Sequence, residues 1–381
     1  MKLYSNEIVF RGHPDKICDQ IAGALLTAYL RGDPTSRVAV EVMIKDEEVY
    51  IVGEVTSNAV IDIPAIAKRV LKDIGYKDLN DGFDLENANY LVIVKEQSND
   101  INNAVSKGKK QGAGDQGLVF GYACDETSNY LPLTYEIAQK LLKLAAEKRK
   151  NGEFKWAKPD MKTQVSIEYG DSTHRVTTIV FSCQHDENFK EKEFKKYIKE
   201  EIVERVLNEY DVNHSKYELL INPSGRFVIG GPKGDVGLTG RKLIVDTYGG
   251  RAKHGGGAFS GKDPSKVDRS GAYYARYVAK NIVASGLAKE CEVNICYAIG
   301  KSEPVALNVD TFGTGKVSDD ELLKMVIKIF DFTPYNMIKE LNLLDIDFYG
   351  VSKYGHFGRD ELNLSYEKLD KVKEIKDYFR L

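Results

Sequence analysis

The densest chemistry in the chain is Gly255-Gly256-Gly257-Ala258-Phe259-Ser260-Gly261-Lys262-Asp263. Read from Gly256 it fits GxxxxGK, the spacing with which backbone amides and one lysine cradle phosphates. The match fails at the next position. Asp263 stands where a Ser or Thr would hold magnesium, and a glycine run after His254 stands where a buried strand should precede the loop. A phosphate loop of another kind is the reading that survives. Gly112-Ala113-Gly114-Asp115-Gln116-Gly117 fits GxGxxG, but residues 118–122 behind it read as extended, so no helix N-terminus receives a pyrophosphate. His13 and Asp15 straddle Pro14 at a helix start, where the dipole favours an anion, although a capping histidine explains His13 equally well. Number favours function: Lys162, Arg226, Arg241, Lys242, Lys262 and Lys266 all lie in or beside Gly or Pro turns, whereas solvated charge faces usually lie on helices. A triphosphate, with about four negative charges, demands such a set, and acidic residues among those cations need metal ions to coexist with it. Asp15 and Asp268 are the natural magnesium ligands.

These residues need elements to position them. Pro14 at N1, then Ile17, Ile21 and Leu25 every four residues, with Gly32 and Pro34 as stops, predict a helix over 14–30. Val38, Val40, Val42 and Ile44 alternate along a strand over 37–44, and a second strand covers 48–55; Glu41 and Glu54 fall on them. Asp62 caps a helix through Ile74 that ends at Gly75, and 90–94 is a strand. The same order recurs as helix 133–149, strands 164–169 and 175–181, helix 194–207 and strand 217–221. It starts a third time with helix 267–285, strands 291–299 and 305–309, and a helix from near Ser318. The expectation is an α+β fold of three related α/β sandwich repeats, each laying two helices on one sheet face. Segments 1–100, 112–230 and 231–370 are the expected domains, with 101–111 a mobile loop. Residues 98–114 are polar, carry Lys107, Lys109 and Lys110 and have few apolar anchors, which suggests a lid that orders on ligands. Residues 230–261 hold 11 of the 33 glycines, so backbone must approach something closely there.

A length of 381 residues points to two or three packed units. No apolar run approaches the ~20 residues that span a bilayer, and the first ten residues lack a secretory signal, so the cytoplasm is the expected location and no membrane partner is expected. Five cysteines, Cys18, Cys124, Cys183, Cys291 and Cys296, form no CxxC pair, which argues against zinc and disulfides. A net charge of −3 argues against a general polyanion binder, nucleic acid included.

Gly12-His13-Pro14-Asp15-Lys16, the 112–117 hexapeptide, Gly225-Arg226-Phe227-Val228-Ile229-Gly230-Gly231-Pro232 and the run from Gly255 to Asp268 together resemble the S-adenosylmethionine synthetase family. The likeness covers nearly the whole chain, to about residues 355–359. It implies three α+β domains about a pseudo-threefold axis, a homodimer with active sites between subunits, and often a homotetramer. It implies ATP and L-methionine as substrates, two Mg2+ per site and one K+ per subunit. Residue by residue, it implies that His13 stands beside the ribose C5′ and the leaving oxygen and that Asp15 and Asp268 hold magnesium. Lys162, Arg241, Lys242, Lys262 and Lys266 would meet the polyphosphate and the methionine carboxylate. Asp160, Arg226, Phe227 and Ala258 would contact ATP. Glu54, Gln97, Asp115 and Asp235 would hold methionine or the ribose, and Glu41 potassium. Arg11 departs from a site that is commonly acidic in relatives and is expected to alter charge near the entrance; the lysine-rich loop is short beside bacterial relatives.

The implied activity transfers adenosyl from ATP to the methionine sulfur and hydrolyses the released triphosphate. A thioether needs no general base, so the absence of a Ser-His-Asp or Cys-His set fits. The rivals are an ATP-dependent kinase or ligase, which would yield different products, and a catalytically silent regulatory subunit, against which the intact His13, Asp15, Lys162, Lys262 and Lys266 argue.

Overall fold

The computed structural model describes residues 2–96, 111–170 and 173–380. Gln97, Lys107, Lys109, Lys110 and most of the expected lid lie outside the described residues.

The chain begins with a strand the sequence reading did not anticipate, β1 (Lys2–Val9). Helix α1 (Pro14–Gly32) follows, with His13 as N-cap. β2 (Arg37–Lys45) and β3 (Glu48–Thr56) form an antiparallel hairpin. α2 (Ile63–Ile74) starts at Asp62, whose carboxylate accepts from the Ala65 amide, and stops at Gly75 in the left-handed region. β4 (Asn89–Lys95) then runs parallel to β3. After β5 (Gly117–Cys124) the order repeats as α3 (Leu133–Lys150), β6 (Ala157–Tyr169), β7 (His174–His185), α4 (Glu191–Tyr197) and β8 (Glu218–Ile221). α4 continues through a π-helical stretch, Ile198–Glu204, into Arg205–Leu207. The short β9 (Gly237–Leu238) precedes α5 (Val267–Ala284), β10 (Glu290–Tyr297), β11 (Ala306–Asp310) and α6 (Asp319–Ile329), the last opened by a capping box between Ser318 and Glu321.

Three sheets result, ordered β9-β2-β3-β4, β1-β6-β7-β8 and β5-β10-β11. Each is built on a hairpin, and each accepts one antiparallel strand from another stretch of chain at the same edge: β9 beside β2, β1 beside β6, β5 beside β10. In the first two, a strand parallel to the second hairpin strand closes the far edge; the third has no such strand among the described residues. This is an α+β fold of three related units that exchange strands, so the N-terminal strand belongs to the second sheet. Helices pack on each sheet: α1 and α2 on the first, α3 on the second with the continuation of α4 beside it, α5 and α6 on the third.

The alternation in β2 does what it promised. Val38, Val40, Val42 and Ile44 are buried beneath α1, while Glu41 and Met43 face outward. α1 is buried on almost every side, because the Phe348–Val351 turn covers what the sheet leaves open. Gly23 permits this, since a Cβ there would lie 2.6 Å from the Phe348 carbonyl oxygen. A helix so enclosed that still carries Asp15, Lys16 and Asp19 must pair them internally.

Candidate active site

Pairing of β1 with β6 sets Val9 opposite Lys162 and so brings the turn after β1 beside Asp160 and Lys162. That turn closes with the His13 amide on the Phe10 carbonyl at 2.9 Å. His13 then caps α1, its Nδ1 accepting from the Asp15 amide at 3.2 Å. His13, Asp160, Lys162, Phe227 and Asp235 share the lining of a cavity of about 360 Å3, within the size range of small-molecule sites. Ser182, Asn222 and Ser224 line it as well. The sequence reading missed these three; the one signal was the Asn222-Pro223-Ser224-Gly225 turn that leads into the Gly225–Pro232 stretch. Phe227 is fixed by His185, whose Nε2 accepts the Phe227 amide at 3.0 Å and whose own amide donates to the Phe227 carbonyl at 2.9 Å. Asp160 accepts the Gly231 amide at 2.9 Å, which draws the glycine loop onto the cavity.

Enclosure moves both titrating groups toward their neutral forms. Burial, and then the Lys242 charge, lower the His13 imidazole to about 4, against an opposing pull from Asp15. Burial raises the Asp160 carboxyl to about 6, although the Gly231 hydrogen bond resists it. At neutral pH His13 is therefore uncharged. Because its Nδ1 accepts, the proton resides on Nε2.

Beside His13, the Asp15 carboxylate is 1% exposed and meets donors from one segment: the Leu238 amide at 2.9 Å, Lys242 Nζ at 2.5 Å and Arg241 Nε at 3.5 Å. A second charged group lies under the glycine loop. Residues 255–263 run between β5 and β2, and at Gly255 and Gly261, both with positive φ, any Cβ would collide with the Leu118 and Val40 carbonyls. Asp263 explains why the loop is not of Walker type. Its buried carboxylate accepts the Val38 amide at 2.7 Å, the Ser265 amide at 2.8 Å and Lys266 Nζ at 2.5 Å, tying the loop to β2. Lys262 pairs with Asp268 at 2.5 Å, both about a quarter exposed. Ala258 lies against Gly240, and Asp115 sits in the exposed turn two residues before Gly117, which touches Val267 and approaches Asp268. Glu54 faces outward opposite Ala39, the residue that bridges to Lys262. Glu41, on the same face, accepts the Thr239 hydroxyl.

Two expected residues lie elsewhere. Arg226 is on the rim, paired with Glu187 at 2.5 Å and not lining the cavity. Arg11 does not line the cavity: it pairs with Asp73 at 2.5 Å and donates to the Tyr349 hydroxyl at 2.8 Å and to Gln20 at 3.2 Å. The turn after β1 aims it at the end of α2, where it braces the fold, while His13, two residues on, reaches the cavity.

No set of three or more His, Cys, Asp or Glu side chains able to hold a metal is found among the described residues. Asp15 and Asp268 each bring one carboxylate beside cations, the donor set that suits a magnesium ion held by one carboxylate, substrate phosphates and water. The two aspartates therefore fit the ion.

Fold and site together define an enzyme of repeated α+β architecture that handles a small anionic ligand at a cation-ringed cleft. The chain belongs to the S-adenosylmethionine synthetase family: the models of its N-terminal, central and C-terminal domains match residues 1–99, 110–227 and 229–368. It is 50% identical to the S-adenosylmethionine synthase of Mycoplasma capricolum over 99% of this chain and 97% of the relative. It is likewise 50% identical to that of Mesoplasma florum over 98% and 99%, and 48% identical to that of Sorangium cellulosum over 98% and 89%. Enzymes of this family need metal ions. Among the described residues, no helix is long and apolar enough to cross a membrane.

Proposed function

We infer that this chain is a methionine adenosyltransferase: it joins ATP to the sulfur of L-methionine by displacement at C5′, expels triphosphate and hydrolyses it to pyrophosphate and phosphate. The observation that carries the reading is the meeting of His13, Asp160, Lys162, Phe227 and Asp235 in one cavity, with Asp15, Arg241 and Lys242 adjoining His13.

The thioether is a neutral nucleophile, so the protein must align it and stabilise charge growing on the leaving group. His13, neutral with its proton on Nε2, offers that N–H to the leaving oxygen. Lys162, Arg241, Lys242 and Lys262 receive the triphosphate. Asp160 and Phe227 border the adenosine, and Ala258 supports the nucleotide. Arg226 joins them by leaving Glu187, an exposed pair worth under about 1 kcal/mol. Asp235 holds the ribose or methionine; Glu54, Gln97, Asp115 and Lys266 serve methionine. Asp15 and Asp268 would hold two magnesium ions, which when bound neutralise phosphate charge, and Glu41 one potassium ion per subunit.

The exposed face of the first sheet supports a homodimer. Met43, Val52, Leu91, Ile93 and Leu238 are 37–49% exposed there, beside Glu41 and Glu54. A second copy laid on this face covers an apolar patch and brings its charged residues to the half-sites, and two such dimers make a tetramer in the cytoplasm.

One incubation with ATP, methionine, magnesium and potassium, read by mass spectrometry, tests the activity. A sulfonium product is expected. ADP with a phosphorylated acceptor would mean a kinase, and no product a silent subunit. Sedimentation should find no active monomer.

A further inference from the structure

Lys16 belongs to the Gly12–Lys16 motif, yet nothing in the chemistry above uses it. It is fully buried, with its ammonium 2.6 Å from Asp246 Oδ1 and 3.0 Å from Asp19 Oδ2. Its two partners hold one short segment at both ends. Asp19 Oδ1 accepts the Gly240 amide at 3.0 Å. Asp246 closes the following helical turn, its amide donating to the Lys242 carbonyl at 2.8 Å and its carbonyl accepting the His356 amide at 2.9 Å. Between those two anchors stand Arg241 and Lys242, whose side chains reach Asp15, one turn of α1 before Asp19.

We propose that Lys16, Asp19 and Asp246 are positioning residues, a buried clamp that fixes residues 240–246 so that Arg241 and Lys242 can exchange Asp15 for a polyphosphate without moving their backbone. This rests on the reading of those two cations as triphosphate-binding.

Stability alone does not account for the clamp, since a buried ion cluster is often replaceable by apolar groups at no loss. Geometry does. Before a phosphate arrives, Arg241 and Lys242 are neutralised by Asp15; when it arrives, those contacts are traded, and the segment loses the side-chain tie that helped hold it to α1. The Lys16 cluster holds the same segment through other groups, the Gly240 amide and Asp246 itself, contributes no group to the cavity and gives up none of its own contacts in the exchange. Cations held in place need no reorganisation as charge develops, and small misplacements in such sites are costly in rate.

The test uses the full-length enzyme and tripolyphosphate as well as ATP with methionine. In K16M/D19N/D246N every member is neutral, and the amide oxygen that D19N introduces still accepts from Gly240. A folded protein is expected, with kcat for both adenosyl transfer and tripolyphosphate hydrolysis down about tenfold or more and KM for methionine within about twofold of the parent. Wild-type kcat in the folded triple variant would overturn the proposal. Should that variant not fold, D246N alone decides, because the amide keeps the acceptor for Lys16. A loss confined to kcat supports the clamp, while unchanged kcat, or a rise in both KM values with kcat intact, refutes it. R241M separates the underlying reading: if it hydrolyses tripolyphosphate as well as the parent, the assignment of the cations fails whatever the clamp variants do.

Discussion

The two aspartates assigned to magnesium live in opposite surroundings. Asp15 is 1% exposed on a helix enclosed on nearly every side and is met by an amide and two cations from residues 238–242. Asp268 is 24% exposed at the start of α5 and, among the described residues, has Lys262 alone as its ion-pair partner. One half of the site is therefore set when the chain folds, because unpaired charge cannot remain in that interior. The other is held by a loop and a solvent-weakened pair, free to adjust to a ligand or to a second subunit. The enzyme combines a rigid anchor with a compliant cover.

The most direct way to break this comparison is to neutralise each carboxylate. Asp15→Asn should cut single-turnover synthesis by about 10³ and destabilise the free protein by on the order of 3 kcal/mol, since it strips two cations of a buried partner. Asp268→Asn should lose about 10² in rate but under about 1 kcal/mol in urea unfolding. Equal stability losses would show that the halves are equally rigid.

His13 sharpens the contrast within the rigid half. In the proposed function its N–H faces the leaving oxygen, a role that serves displacement at C5′ and not cleavage of triphosphate. His13→Asn should reduce synthesis about 10²-fold and leave hydrolysis of added triphosphate nearly intact. Parallel losses in the two steps would discard that division.

The compliant half gives smaller effects. Lys262→Met should weaken handling of ATP and triphosphate, about tenfold in kcat/KM, while Lys266→Met should also raise KM for methionine. The structure adds a second expectation for Lys266. Its partner Asp263 is buried and carries the loop's tie to Val38, so Lys266→Met should lower thermal stability where Lys262→Met does not. Wild-type kinetics in either variant would remove that lysine from the site.

Much of this is legible in the sequence. Local signals placed α1, α2 and α6, because Pro14, Asp62, Gly75 and Ser318 act on their own neighbours. Alternation placed β2. What escaped was non-local. β1 and β9 are recruited by sheets built from distant segments, and nothing within Lys2–Val9 or Gly237–Leu238 reports that. Among site residues the charged ones announced themselves by type and turn context. Arg11 entered only through the resemblance, and no local signal reports that its side chain pairs with Asp73 at the end of α2. Asp263 looked like a failed magnesium position, since its role depends on Val38, 225 positions away.

The remaining effect is one of pH on the stability of the free protein, and it again concerns the enclosed half. Burial, reinforced by Lys242, holds the folded-state His13 near 4, whereas the unfolded chain takes up that proton near 6.5. Between those values the unfolded state binds the proton and the folded state does not, so stability falls as pH drops through the window and is regained as pH rises. By pH 5 the loss is about 2 kcal/mol. Asp160 opposes it. Its carboxyl, raised to about 6 from an ordinary 3.8, takes up a proton in the folded state first, so acidification between those values stabilises. Wild type feels both terms, while His13→Asn keeps only the second. Asparagine is also a good N-cap, so the substitution leaves the start of α1 sound. Melting followed from pH 7 to pH 5 should therefore show wild type losing a few degrees more than His13→Asn, with every other titrating group common to both proteins. Parallel pH profiles would mean that the folded state protonates His13 as readily as water does, and that the cavity beside Asp15 is wetter and less rigid than the comparison of the two aspartates requires.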